Sequence, residues 1–329
     1  MGYDYYYQKI TFLVIEIILP IVFLIFFGSG LRNLDTKLLL HAFETLSVLI
    51  AILLLSNAYQ IGINEILQSK FMTRVEVGES NVIWTGRFIS FGFLIILFRK
   101  TRLIYKVFTL PVLLLALVLT GSKSVLLFPL ITIVIYFLFI LKNDHIKSIS
   151  KKTFLIYIGL IVLGISTIFS FLNPEAVETR FSIGSGTVDT RKSAIDNVMD
   201  EANFRENYFF GNGFATSGFP IVGTYNQRYY PHNITVEIFY ELGFLGVFLF
   251  FLLIFIPLWL YKKHKIPGGD FGTILALYCL VLFYSQTSGD LTGNSLIFVF
   301  SGYIIYSMNY WKSIGGKFNS NLISKKTTV

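Results

Sequence analysis

Apolar residues along this chain fall in long unbroken runs, and short polar stretches separate them. Runs at about 10–29, 38–58, 81–98, 104–120, 123–141, 153–172, 233–260, 271–288 and 294–310 approach the length that carries a helix across a membrane, roughly 20 residues for a ~30 Å hydrocarbon layer. The pattern predicts an all-α polytopic integral membrane protein with about nine transmembrane helices. It divides into a six-helix membrane region over 1–172, an extracytoplasmic loop over 173–232, a three-helix membrane region over 233–310 and a basic tail over 311–329.

Composition agrees with this division. Of 329 residues, 54% are hydrophobic and 14% charged, where a soluble chain carries about a quarter charged. The single cysteine, Cys279, lies inside an apolar run and has no partner for a disulfide or a metal site. A net charge of +8 raises nucleic acid as a partner, but the distribution of the charge argues against it. The connectors "RKTRLIYK", "KNDHIKSISKK" and "YKKHKIPGGD", the tail after Trp311, and Arg32 with Lys37 hold 17 of the 27 Lys and Arg. Alternating spans put all of these on one side, which the positive-inside bias makes cytoplasmic. The other side receives 59–80, a hinge at Gly121 and the long segment 173–232. This alternation also puts the N-terminus outside, so an odd number of preceding helices is expected.

The long outer segment contains an expected helix, "DTRKSAIDNVMDEANFREN" (189–207), with Asp189 or Thr190 as its cap. Ile195, Val198 and Ala202 recur at helical spacing, and Arg191 and Arg205 project onto the same face. The turn-rich stretch "GNGFATSGFP" (211–220) follows. Next comes "YYPHNITVEIFYELGFLGVF", in which an apolar helix opens on His232, Asn233, Glu237 and Glu241.

The chain shows no P-loop, no GxGxxG after a strand and no Asp-x-Asp pair, so nucleotide- or metal-dependent chemistry finds no support. Cations gather on the outer side instead: Arg74, Arg87, Lys123 after Ser122, Arg191, Arg205 and Arg228. A cation added to a helix N-terminus makes an anion site, and Pro231 suits the first turn of the seventh span. A lipid-linked phosphate or diphosphate fits such a set. Each residue also has a structural reading. Lys123 can snorkel to headgroups, Arg87 can pair with Glu79, Arg191 and Arg205 can anchor an interfacial helix, and Arg228 can join an aromatic belt with Tyr229 and Tyr230. His232 sits at the water boundary, where an imidazole can take a proton from a hydroxyl; capping is its alternative. Carboxylates at span depth need partners. A structural ion pair is expected for Glu241, Glu237 stays open, and helix-bundle contacts are expected for Glu16, Glu44 and Asp290. Asn233-Ile-Thr235 also fits a glycosylation sequon placed by chance at a span entry.

In this order and on this side of the membrane, "FMTRVEVGESNVIWTGRF", "TGSKS", "TRKSAIDNV", "GNG" and "PHNITVEIFYELGFLG" resemble the bacterial O-antigen ligase and Wzy-type polysaccharide polymerase family, from about Arg74 to Gly246. The resemblance implies a cofactor-free, metal-independent and inverting glycosyltransferase of the bacterial cytoplasmic (inner) membrane. Its site would lie on the extracytoplasmic face, and its donor would be an undecaprenyl-diphosphate-linked oligosaccharide. Arg87, Arg191 and Lys123 would then contact diphosphate or sugar, and His232 would activate or place the acceptor hydroxyl. Lys123 stands where the family more often has arginine, and a lysine offers a point charge in place of a fork. Ile195 stands where tryptophan is common. Nine spans would suit a chain lacking the family's first three. The leading expectation is a polymerase acting on an acceptor glycan for O-antigen or capsule, with a flippase or chain-length regulator as candidate partners. The alternatives are a ligase moving a finished glycan to a lipid or protein, a lipid-linked sugar transporter, and a non-catalytic assembly partner.

Overall fold

A computed structural model describes residues 36–62, 65–66, 75–77, 81–99, 101–140, 186–200, 208–213, 216–222, 230–264, 269–289 and 293–313, with isolated positions between 159 and 178. These residues are helical, with no strand among them. The elements are α1 (Thr36–Ile61), α2 (Val82–Phe98), α3 (Leu103–Leu119), α4 (Lys123–Ile135), α5 (Gly186–Met199), α6 (Phe219–Val222), α7 (Ile234–His264), α8 (Asp270–Ser285) and α9 (Leu296–Ser313). A π-helical turn, Tyr136–Ile140, continues α4. Helices thus coincide with seven of the expected apolar segments, whereas that at 10–29 lies outside the described residues and that at 153–172 is described only at isolated positions. Thr36–Ile61 and Ile234–Lys263 are long and apolar enough to cross a membrane, and five other helices are apolar but shorter.

α2 runs through the centre of the bundle, where nearly all of its residues are buried. Its sequence is apolar on every side, as a helix covered all round must be. Ser47 on α1 donates to the carbonyl oxygens of Phe43 and Phe88 at 2.6 Å each, and small polar residues of this kind let two apolar helices approach closely. Phe91 packs edge-on to Phe43 and Phe300, with centroids 5.7 and 6.3 Å apart, joining α1, α2 and α9. Polar ties cross the core as well. Ser90 and Tyr284 share a 2.8 Å hydrogen bond, and Ser301 donates to Tyr278 at 2.9 Å.

Hydrogen bonds define the two ends of the bundle. At one end Arg99 pairs with Glu44 at 3.0 Å and with Asp270 at 3.3 Å, while Thr36 meets Tyr303 at 2.7 Å. The N-termini of α1 and α8 therefore share that end with the C-termini of α2 and α9. Glu44, for which a bundle contact is expected, is buried beside Arg99. The connection at Gly121 turns tightly at the opposite end, with its amide on the Val118 carbonyl at 2.9 Å. Ser122 precedes α4 without a side-chain cap bond, and its hydroxyl meets Ser124 at 3.2 Å.

Candidate functional site

The expected seventh span is not one continuous helix. At Gly243 the backbone takes φ 66°, ψ −162° in the middle of α7, a region open to little but glycine. The break frees two carbonyls above it and two amides below it, and the stretch "YFFGNG" (208–213) satisfies all four. Asn212 and Gly213 donate their amides to the carbonyls of Tyr240 and Glu241 at 2.8 and 3.0 Å. Phe244 and Leu245 donate theirs to the carbonyls of Tyr208 and Phe209 at 3.2 and 3.3 Å. The two strands of backbone lie so close that a Cβ on Gly211 would fall 2.4 Å from the Glu241 carbonyl, and one on Gly243 would fall 2.4 Å from the Phe209 oxygen. Irregular backbone survives within apolar surroundings only when its polar groups are met this way.

This break changes the status of the carboxylates. Residues 244–264 alone extend roughly 31 Å at the helical rise of about 1.5 Å per residue, the thickness of a hydrocarbon layer. The segment 234–242, which carries Glu237 and Glu241, is a separate short helix and is not needed for that distance. Both carboxylates are buried. Glu241, expected in an ion pair, accepts from the backbone amide of Ser217 at 3.3 Å, so the loop that splices the break also meets its side chain.

The entry to α7 is capped by Asn233, whose Oδ1 accepts from the amides of Thr235 and Val236 at 3.0 and 3.1 Å. Pro231, expected in the first turn, lies before the cap. The Asn233 amide donates to the Gln286 carbonyl at 3.1 Å, and Thr235 donates to Gln286 Oε1 at 2.9 Å. Asn233 is thus engaged locally, locking the start of α7 to the end of α8. His232 just before it has φ 58°, the one positive φ at a non-glycine among the described residues. Such a conformation is uncommon outside glycine and costs on the order of 1–3 kcal/mol. The His232 ring is half-buried and stands edge-to-face against Tyr230, with centroids 4.5 Å apart and planes at 67°.

Arg191 comes from α5, which begins at Gly186, so Asp189 and Thr190 lie inside its first turns rather than at its cap. Ala194 and Val198 form the buried face, with Ile195 half-buried, and Arg191 lies on the same stripe one turn earlier. Val198 packs against Tyr240, with Val236 and Phe239 beside it, which seats α5 on the upper segment of α7. Burial of the half-buried Arg191 guanidinium pushes its pKa below the ordinary arginine range, and Tyr230 acts in the other direction. It stays a cation at neutral pH, but a partly desolvated one that an incoming anion would stabilise.

Arg87 is buried in α2 and set against the end of α8. Its Nη2 donates to the carbonyls of Ser288 and Tyr284 at 2.8 and 3.3 Å, and its Nη1 to Asn294 Oδ1 and the Gly293 carbonyl at 3.2 and 3.4 Å. The guanidinium also lies over the rings of Trp84 and Tyr284, at 4.7 and 5.1 Å. A cation at a helix C-terminus meets the negative end of the helix dipole. The described partners of Arg87 are therefore structural, while Glu79, expected to pair with it, lies outside the described residues.

Tyr230 is the residue against which the His232 ring packs. Sequence reasoning passed over it as part of an aromatic belt, and its position before Pro231 was the available signal. Gly243 and Gln286 were missed as well. Lys123 is half-buried at the first position of α4. Arg74, Arg205 and Arg228, expected to bind substrate, lie outside the described residues, as do Ala202, Glu16 and Asp290. Among the described residues no three His, Cys, Asp or Glu side chains are grouped to hold a metal ion. The arrangement offers an imidazole set at a defined angle against Tyr230, with the half-buried Arg191 cation on the helix that packs against the same segment of α7. This suits removal of a proton next to a developing negative charge.

Comparison with known proteins matches residues 108–251 to a family model described as O-antigen ligase. No curated protein and no solved structure matches the chain.

Proposed function

Residues 108–251 belong to the O-antigen ligase family, and from that premise we propose that the protein is a glycan polymerase at the outer face of the bacterial cytoplasmic membrane. It transfers undecaprenyl-diphosphate-linked repeat units onto an acceptor glycan. The bond between the anomeric carbon and the diphosphate oxygen breaks, and one between that carbon and the acceptor oxygen forms. The acceptor's proton passes to His232, and undecaprenyl diphosphate leaves as the anion. Arg191 stabilises the charge growing on the leaving oxygen, a role that preorganised cations fill without reorganisation. A base near neutrality suits the acceptor hydroxyl. Direct attack on the face opposite the diphosphate inverts the anomeric centre.

The observation that carries this reading is the grouping at the mouth of α7. His232 sits in a strained backbone conformation against Tyr230, and the partly buried Arg191 belongs to α5, which packs through Val198 on the same segment of α7. The end of the bundle holding this group is opposite the end where Arg99 meets Glu44 and Asp270. Arg99 and Lys106 of one basic connector lie at that second end, where Lys106 donates to the Leu97 carbonyl at 2.9 Å, and this supports an outer location for the site. The test is complementation of a strain lacking its own polymerase, with surface glycan resolved by size. Wild type is expected to restore a ladder of repeat lengths, and His232→Ala to leave a single unit. Unchanged repeat lengths with loss of attachment to the final acceptor would identify the ligase reaction instead. Normal glycan from His232→Ala would remove the histidine from the mechanism.

A further inference from the structure

We propose that Tyr230 is a positioning residue for transfer: its ring fixes the angle of the His232 imidazole. The proposal rests on the reading of His232 as the base and adds the group that holds it. Four consecutive residues carry the argument. Tyr230 precedes proline, which excludes the helical region and leaves it extended. Pro231 is buried and has a ring-locked φ. His232 occupies the left-handed region at φ 58°. Asn233 is tied by its side chain to two amides of α7 and to the end of α8. Each residue of Tyr-Pro-His-Asn is therefore restricted by its own means, and little backbone freedom remains between the tyrosine and the cap. The edge-to-face contact at 4.5 Å then limits the remaining motion, rotation of the imidazole about its own bond. A supporting shell of this kind is what keeps a reacting group within its productive angle.

Arg87 is held by four oxygens of the bundle, and Arg191 belongs to α5, which is seated through Val198 on the upper segment of α7. The carboxylates nearest in sequence, Glu237 and Glu241, sit further along α7, and Glu241 faces the Ser217 amide.

The test uses the full chain in lipid nanodiscs with isotope-labelled histidine. The His232 signals are assigned among the 4 histidines by their loss in His232→Gln. In the wild type, cross-relaxation between the His232 and Tyr230 ring protons is expected, and its absence would overturn the proposal. In Tyr230→Leu, the His232 ring signals and titration midpoint are expected to move and kcat to fall about 2- to 10-fold, the range of one edge-to-face aromatic pair. Tyr230→Phe keeps the ring, so the His232 signals and titration midpoint are expected to hold. His232 signals and midpoint unchanged in Tyr230→Leu would overturn the positioning role. Full activity in His232→Ala alongside an intact Tyr230–His232 coupling would instead sink the base assignment and leave the contact standing.

Discussion

Replacing Gly243 by alanine is expected to expel the 208–213 loop from the break in α7. Inside an ordinary helix, glycine to alanine stabilises by about 0.5–1 kcal/mol. The sign reverses here for two reasons. The added methyl would lie 2.4 Å from the Phe209 oxygen, 2.5 Å from its carbonyl carbon and 2.7 Å from the Gly211 nitrogen, all of them backbone atoms that cannot rotate away. The residue would also be held in a region that costs a side chain on the order of 1–3 kcal/mol. Four backbone hydrogen bonds bridge the splice, and at about 0.5–1.5 kcal/mol each they add roughly 2–6 kcal/mol if the loop leaves. The sum, roughly 3–9 kcal/mol, is a large share of the ~5–15 kcal/mol that holds a typical native protein together. Thermal unfolding of the purified protein would show it, with a fall of at least about 6 °C at about 2 °C per kcal/mol. Gly159→Ala is the control, because a methyl there meets nothing within 4 Å. A Gly243→Ala protein melting with the wild type would refute the splice as a structural joint.

Arg87→Lys is expected to lower stability by about 2–4 kcal/mol, because one ammonium cannot serve four oxygens fixed for a fork and bonds to charged groups carry about 1.5–3 kcal/mol. A melting point within 1 °C of wild type, by the same scale, would contradict it. Arg191→Ala is expected to raise donor KM by at least about 10-fold while leaving the melting point nearly unchanged, since the side chain is half-buried and its loss opens no core cavity. Equal KM values would remove it from the site. Transfer is expected to fall on acidification, because a protonated imidazole has no lone pair for the acceptor proton. Arg191 does not supply that dependence: burial lowers its pKa, so the unfolded chain holds the proton more tightly. Stability from this group therefore rises with pH only in a strongly alkaline window. A flat rate profile between about pH 5 and 8 would count against imidazole as the base.

How much of this the residues announce depends on range. Unbroken apolar runs are a local signal, and the ends of α2, α3 and α8 fall within a few residues of where hydropathy puts them. The helix in the outer segment was also readable, but its buried face is Ala194–Val198, while the pattern pointed to Ile195 and Val198. That shift arises because α5 packs on Tyr240 of another element, and no local periodicity encodes this. The break at Gly243 escaped for a similar reason. A glycine within "YELGFLG" looks like an ordinary helical glycine until "GNG", some thirty residues earlier in the chain, supplies the missing hydrogen bonds. Arg87 shows the opposite case. An arginine at the outer end of an apolar helix invites a ligand, yet the carbonyls of a distant helix end meet its charge. His232 was conspicuous by type and place, but its backbone strain and its contact with Tyr230 required coordinates.

Transfer by purified protein in lipid nanodiscs tests the account most directly. An undecaprenyl-diphosphate-linked repeat unit is supplied as donor and acceptor, without nucleotide sugar, and free undecaprenyl diphosphate and glycan length are both followed. The account predicts that wild type releases one undecaprenyl diphosphate per bond formed and extends the glycan, and that His232→Ala does neither. Equal release and extension by the His232→Ala protein, or a wild type that leaves the donor intact, would contradict it.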